Sequence, residues 1–172
     1  VALESNPLVV QAVRQAGAGC GATPYDDERV DVVLEEARSY LRRSPERYDI
    51  VLLSLSDTYQ PVISGAYSLS ESYAYTLEAF QDYVGHLRED GVLVITRWIQ
   101  SPPSEELRAF VLLAEALQRA AAGDPSTRMI AFRTWSTATI LARRTPWRSE
   151  EIARLKEFCA ARSFDLIYYP GI

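Results

Sequence analysis

The sequence predicts an α/β protein: a doubly wound, mostly parallel sheet ending in an antiparallel hairpin. Three observations predict it. Strand-like and helix-like segments alternate from residue 1 to about residue 121. The run "YDIVLLSL" (48–55) is apolar at successive positions, as in a strand covered by helices on both faces. Finally, "RMIAFRTW" (128–135) and "TATILARR" (137–144) lie too close together for the crossover that parallel neighbours need.

Each element has a local reason. "VALE" (1–4) is a short strand. "NPLVVQAVRQAG" (6–17) is a helix with Asn6 as cap, Pro7 at its first position and Gly17 just past its end. "RVDVVL" (29–34) is a second strand, and "EEARSYLRR" (35–43) a short helix. After the strand at 48–55 a loop runs to about Leu69. Ser68 and Glu71 fit a capping box that opens a long helix to about Arg88, with Tyr73, Leu77, Phe80, Val84 and Leu87 among its apolar residues. "EDG" turns into the apolar strand "VLVITRW" (92–98). A second long helix, "SPPSEELRAFVLLAEALQRAA" (101–121), places Leu107, Phe110, Val111, Ala114 and Leu117 on one face. The hairpin follows. A last helix, "RSEEIARLKEFCAARS" (148–163), takes Ser149 as cap and buries Ile152, Leu155, Phe158 and Cys159. "FDLIYYPGI" closes the chain. No linker or repeat interrupts the 172 residues, which read as a single domain.

Composition narrows the function classes. A net charge of −5 argues against a nucleic-acid partner, because backbone phosphates must be met by clustered Lys and Arg. No apolar run approaches the roughly 20 residues needed to span a bilayer, and no signal peptide is visible. The two cysteines, Cys20 and Cys159, read as free thiols. The single histidine, His86, reads as a surface or capping residue. It has no partners at ligand spacing, so no metal is expected. "GAGCGA" (17–22) imitates a glycine-rich nucleotide loop, but a helix precedes it and a strand follows. A phosphate loop has the opposite context, so this stretch reads as a connector.

In doubly wound sheets ligands bind outside the carboxyl ends of the strands. The side chains to weigh are therefore Glu4, Glu36, Ser54 to Tyr59, and Arg97 to Gln100. Glu4 suits the hydroxyls of a ribose, or is a capping or solvated carboxylate. Glu36 suits the exocyclic amine of an adenine, or serves only the dipole of its helix. Asp57, the one acid of its cluster, suits proton transfer from an attacking amine, or binds backbone amides in a turn. Tyr59, Tyr67, Tyr73 and Tyr75 add aromatic surface for a pocket or for the core.

Taken in order, these segments resemble the spermidine synthase family, a branch of the class I methyltransferase-like fold. "ESNP" (4–7) looks like the family's acid-x-Asn/Asp-Pro motif. "YDDERVDVVLEEARSYL" (25–41) resembles its "dpRv…v..Da..yl" segment, "RYDIVLLSLSD" (47–57) its "yDvIi.D..D", and "EDGVLVI" (89–95) its "pgGvlv" strand. The likeness runs from Val1 to about Arg144, leaving 145–172 as an added helix and tail.

The resemblance implies decarboxylated S-adenosylmethionine or S-adenosylmethionine as cofactor, and an aminopropyl or methyl group passed to a small amine. Glu4 would hold the ribose. Glu36, with Ala37 beside it, would hold the adenine end. Ser54 falls at the cofactor-facing and catalytic position of an aspartate that assists amine deprotonation. Asp57 matches the second aspartate, with Tyr59 and Tyr67 on the acceptor side. The family is mostly cytoplasmic, with some relatives fused to membrane segments.

Departures carry as much weight. The family's first strand and glycine-rich loop would precede Val1, so the chain reads as part of a longer polypeptide whose isolated form is inactive. A sheet short of that strand would rearrange or pair with a second copy, giving a homodimer. Ser54 removes a charge that a dicationic diamine would need, and serine has no useful basicity near neutral pH. Two functions follow: a spermidine synthase-like transferase acting on another substrate, or a non-catalytic regulatory or assembly domain on the same fold.

Overall fold

The computed structural model describes residues 1–19, 21–55, 73–120 and 123–172. The chain divides into two compact units, Val1–Pro45 and Glu46–Ile172.

In the first unit, β1 (Ala2–Glu4) and β2 (Val32–Leu34) pair in parallel, with Ala2 opposite Val32 and Glu4 opposite Leu34. The crossover between them carries α1 (Pro7–Ala18). Asn6 caps α1 through its side chain, which accepts from the Leu8 amide at 3.0 Å, and Pro7 takes the first turn, where no amide hydrogen is needed. The helix runs one residue past Gly17, so Gly17 does not terminate it. Its glycine is required by packing instead: a Cβ there would come within 1.8 Å of Thr23 Cγ2. Thr23 is itself buried and caps a short 3-10 turn at Pro24–Asp26. A second helix, α2 (Ala37–Arg43), follows β2 and ends on Arg42 and Arg43, where cations suit the negative end of the helix.

The second unit is a five-stranded mixed sheet. Its strands are β3 (Tyr48–Leu53), β4 (Leu87–Trp98), β5 (Met129–Arg133), β6 (Thr137–Arg143) and β7 (Asp165–Tyr168), in the order β3-β4-β6-β5-β7. β3 and β4 are parallel, while β6 is antiparallel to both β4 and β5. β3, β4 and β5 thus run one way. The predicted hairpin is present, but its reversed strand lies inside the sheet, between β4 and β5. β7 is a further reversed strand against β5. That edge strand was not expected from "FDLIYYPGI".

Helices α3 (Leu77–Gly85) and α4 (Glu105–Ala120) cover one face, and α5 (Ser149–Ala161) follows β6. The core forms where α3 and α4 meet β4: Phe80, Tyr83, Val84, Leu93, Ile95, Leu113 and Leu117 are all fully buried. The capping box expected at Ser68 and Glu71 lies outside the described residues. Within them, Thr76 caps α3 by accepting from the Ala79 amide at 3.2 Å. α3 ends at Gly85, and His86 caps it, Nδ1 lying 2.7 Å from the Asp82 carbonyl oxygen. β4 then starts at Leu87, five residues earlier than "VLVITRW", because Leu87 pairs with Tyr48. The register shifts before Val92 meets Ile50. Gly91 permits this, since a Cβ there would lie 2.6 Å from the Tyr48 carbonyl oxygen.

Three predicted faces differ from those observed, and on α5 only Cys159 of the four residues expected inside is buried, with Phe158 38% exposed. α4 buries Ala109, Leu113, Ala116 and Leu117 and leaves Leu107 and Val111 more than half exposed. The helix is apolar on several stripes, and the stripe with two alanines lets α3 approach most closely. β3 is the outermost strand of its sheet, and Ile50 and Leu52 stand 66% and 63% exposed on one face. α5 starts one residue after Arg148, whose amide donates to Glu151 Oε2 at 2.8 Å, so Ser149 is its first residue and not its cap. Buried Arg143 ties this helix to β6: its Nη1 donates to Glu151 Oε1 at 2.9 Å, and its guanidinium lies over Trp147. Cys159 is buried and free, and Cys20 lies outside the described residues.

Candidate functional site

Two sets of strand exits hold the polar side chains that matter. The first belongs to the β1–β2 pair. Because these strands are parallel and in register at Glu4 and Leu34, Glu4 and the turn holding Glu36 emerge at the same, carboxyl end. Glu4 is half-buried, and its Oε1 accepts from the Asn6 amide at 2.9 Å. The "ESNP" order explains this: the strand stops at Glu4, Asn6 begins the helix, and the turn folds the Asn6 amide back onto the carboxylate. One oxygen is anchored. The other accepts no hydrogen bond among the described residues, so the carboxylate is oriented and still has acceptor capacity for two neighbouring hydroxyls.

Glu36 is the N-cap of α2. Its Oε1 accepts from the Arg38 amide at 3.0 Å and its Oε2 from the Ser39 amide at 2.8 Å. Desolvation pushes its acidity constant up. The two amides, the Ser39 side chain and the Arg38 charge together outweigh that and hold it below the usual carboxylate range. Glu36 is therefore anionic at neutral pH. Its first employment is therefore at the N-terminus of α2, where a carboxylate also suits the helix dipole. Ala37 is the first residue of α2, directly behind that carboxylate.

The second set belongs to β3 and β4. Ser54 follows Leu53, the last residue of β3, and is exposed. Asp57, Tyr59 and Tyr67 lie outside the described residues. At the end of β4, Arg97 is the charged group of note. Its side chain is only 11% exposed and reaches Glu105 Oε2 at 3.4 Å, and its guanidinium carbon sits 4.1 Å from the centre of the Tyr75 ring. Tyr75 is itself buried, edge-on to Phe80 at 6.2 Å. Sequence reasoning marked Arg97 only as a strand-exit residue and Tyr75 only as aromatic surface. A basic residue ending an apolar strand, with an acid at the start of the next helix, was the available signal. The stacking on Tyr75 had none, because twenty-two residues and a helix separate the two.

Among the described residues no group of three His, Cys, Asp or Glu side chains could hold a metal ion, and no helix is long and apolar enough to cross a membrane.

No family model matches the chain. Over 73 residues it is 32% identical to a polyamine aminopropyltransferase of Pyrobaculum islandicum, a match covering 41% of this chain and 23% of that protein. In structure it is similar to a spermidine synthase solved in complex with the transition-state analogue AdoDATO. That likeness has a TM-score of 0.54 at 19% identity, over 97% of this chain and 51% of the other. It is also similar to human methyltransferase-like protein 13 in complex with SAH, with a TM-score of 0.58 at 10% identity, over 92% of this chain and 68% of the other. The chain thus spans about half the length of the solved spermidine synthase, and its matched stretch under a quarter of the curated relative.

Proposed function

We propose, from the premise that this chain adopts a divergent spermidine synthase-like fold, that it forms one domain supplying the later part of an adenosyl-cofactor cleft in a transferase. The ligand would be S-adenosylmethionine or its decarboxylated form, and the acceptor a small amine. The observation that carries the reading is Glu4. It stands at a strand exit, in an acid-x-Asn-Pro motif, with one oxygen held by the Asn6 amide and the other without a partner among the described residues.

In this proposal Glu4 accepts from both ribose hydroxyls, and the anchored oxygen prevents the carboxylate from turning away. Glu36, kept anionic by its amide bonds, accepts from the adenine amine, with Ala37 beside the ring. The bound cofactor supplies an activated alkyl group. Ser54, where the resemblance has an aspartate, is a neutral hydroxyl. It offers a hydrogen bond but neither the charge that would recruit a diamine nor the basicity to deprotonate it. Asp57 remains the candidate proton acceptor, with Tyr59 and Tyr67 as candidate acceptor-side residues. The isolated 172 residues are expected to turn over no amine.

Calorimetry on the full polypeptide that carries this chain tests the reading. Heat of binding with S-adenosylmethionine, its decarboxylated form or methylthioadenosine is expected, and Glu4→Gln should weaken it at least tenfold. No heat with any of the three would overturn it.

Ser54 favours a second reading, a regulatory or assembly domain that keeps the fold without catalysis. It gains if the adenosyl ligand binds and no amine is ever modified. Turnover of an amine acceptor that Asp57→Asn abolishes would end it. Pairing of two copies through the outer edge of β3 belongs to the same proposal, and a monomeric mass by light scattering would remove that part.

A further inference from the structure

On the face of the second unit that carries α4, a hollow of about 370 Å³ opens between the first turns of that helix and β5, β6 and β7. It exists because small residues stand under the helix. Ala138 lies opposite Arg133 and Ala131 opposite Ile140 across the β5–β6 pair, so two short side chains leave the floor low. Leu107 and Phe110 form one wall. Tyr168 forms the other and is fixed: its ring meets Phe110 edge-on at 5.3 Å, and its hydroxyl donates to the Ser126 carbonyl oxygen at 3.0 Å. The lining is almost wholly apolar, so water inside would find few partners. A preformed cleft of this size and character suits a small organic molecule.

The mouth decides the charge of that molecule. Arg133 lines it, but its Nε is bound to the Asp165 carboxylate at 2.9 Å. Glu106 also lines it. Its oxygens accept only from two neutral amides, Gln100 at 3.4 Å and Ser104 at 3.3 Å, and it forms no ion pair among the described residues. Of the two charged residues in the lining, Arg133 is already met by Asp165, which leaves the Glu106 carboxylate as the charge without a counter-ion there among the described residues, on a chain whose own net charge is −5. An anion is disfavoured twice over. A neutral ligand would leave the Glu106 charge, beside an apolar surface, without a counter-ion among the described residues.

We propose that this hollow binds a small amphiphilic monocation, its apolar body over Ala131 and Ala138 and its single ammonium group at Glu106. Of the residues proposed to hold the adenosyl ligand or the acceptor, the described ones, Glu4, Glu36, Ala37 and Ser54, do not line it, and the inference rests on the hollow alone.

Three probes of equal size and different charge test it on the full chain by calorimetry: 3-phenylpropylamine, 3-phenylpropan-1-ol and 3-phenylpropanoate. The amine is expected to bind tightest, the alcohol about fivefold more weakly, as a partly solvated ion pair allows, and the carboxylate weakest. Glu106→Gln should bring the amine to the level of the alcohol without changing the alcohol. Ala138→Leu fills the hollow and should remove binding of the amine and the alcohol. Ala131→Val is the second filling variant, with circular dichroism showing which of the two is folded. The proposal is overturned if no probe binds, if the carboxylate binds as tightly as the amine, if Glu106→Gln leaves the amine unchanged, or if a folded filling variant still binds the amine.

Discussion

The two sets of strand exits are built from opposite chemistry. At β1 and β2 the polar groups are carboxylates, Glu4 and Glu36, each held by backbone amides two or three residues away. At β3 and β4 they are a neutral hydroxyl, Ser54, and a nearly buried guanidinium, Arg97, held by an aromatic ring and a distant acid. The first set is local: a few consecutive residues make it, and its acceptors point to a ligand rich in hydroxyl and amino donors. The second is tertiary, and its two described charges, Arg97 and Glu105, offset each other. The proposed function accordingly rests more on the first set, whose carboxylates suit an adenosyl group, than on the second.

The largest effect that would break this contrast is at Glu4. If Glu4→Ala leaves adenosyl-ligand affinity within a factor of two, the carboxylate exits have no ligand role. The proposal expects a loss of about 2 kcal/mol or more, because a hydrogen-bonded charged acceptor is removed. Next is Arg97. Replacing it with Met should cost the second unit about 1–2 kcal/mol in urea unfolding, through lost stacking on Tyr75 and lost contact with Glu105. A double-mutant cycle with Tyr75→Leu should recover part of that as coupling. Zero coupling would make the stacking incidental. Ser54→Asp sharpens the comparison from the other side. It restores an anion at the β3 exit and should raise the affinity of a diamine about fivefold, with the gain shrinking at high salt.

The smallest expected effect concerns Glu36. Its acidity constant in the folded state lies below the ordinary value of 4.5, so its contribution to stability is present above that value and fades as pH falls through the folded one. Glu36→Gln should flatten that part of the acid limb for the first unit, by lowering the neutral-pH plateau by the contribution the charge makes there and leaving the most acidic part unchanged. An unaltered acid limb would show that the cap amides do not discriminate between charge states.

The same local-versus-tertiary distinction separates what could be read from the sequence from what could not. The strands at 2–4, 32–34 and 48–53 and the cap at Asn6 are legible because each is decided within a few residues. The insertion of β6 between β4 and β5 is not, since strand order is a pairing between distant segments. The early start of β4 depends on Leu87 meeting Tyr48 and on Gly91 fitting under the Tyr48 carbonyl. The buried stripe of α4 depends on which of several apolar stripes α3 selects. Gly17 looked like a helix terminator, and only the nearness of Thr23 gives its reason. In the site, Glu4 and Glu36 could be named from motif and position, whereas the Tyr75–Arg97 contact could not. Asp57, Tyr59 and Tyr67 fall outside the described residues, and their roles rest on the resemblance.

The account turns on whether the Glu4 carboxylate receives an adenosyl ligand. The most direct measurement is the amide nitrogen–proton spectrum of the protein titrated with S-adenosylmethionine and its decarboxylated form. The Asn6 amide, bonded to Glu4, is expected to shift on saturation, together with the Arg38 and Ser39 amides bonded to Glu36, and Glu4→Gln should abolish the Asn6 response. Saturable binding that leaves all three amides in place would contradict it.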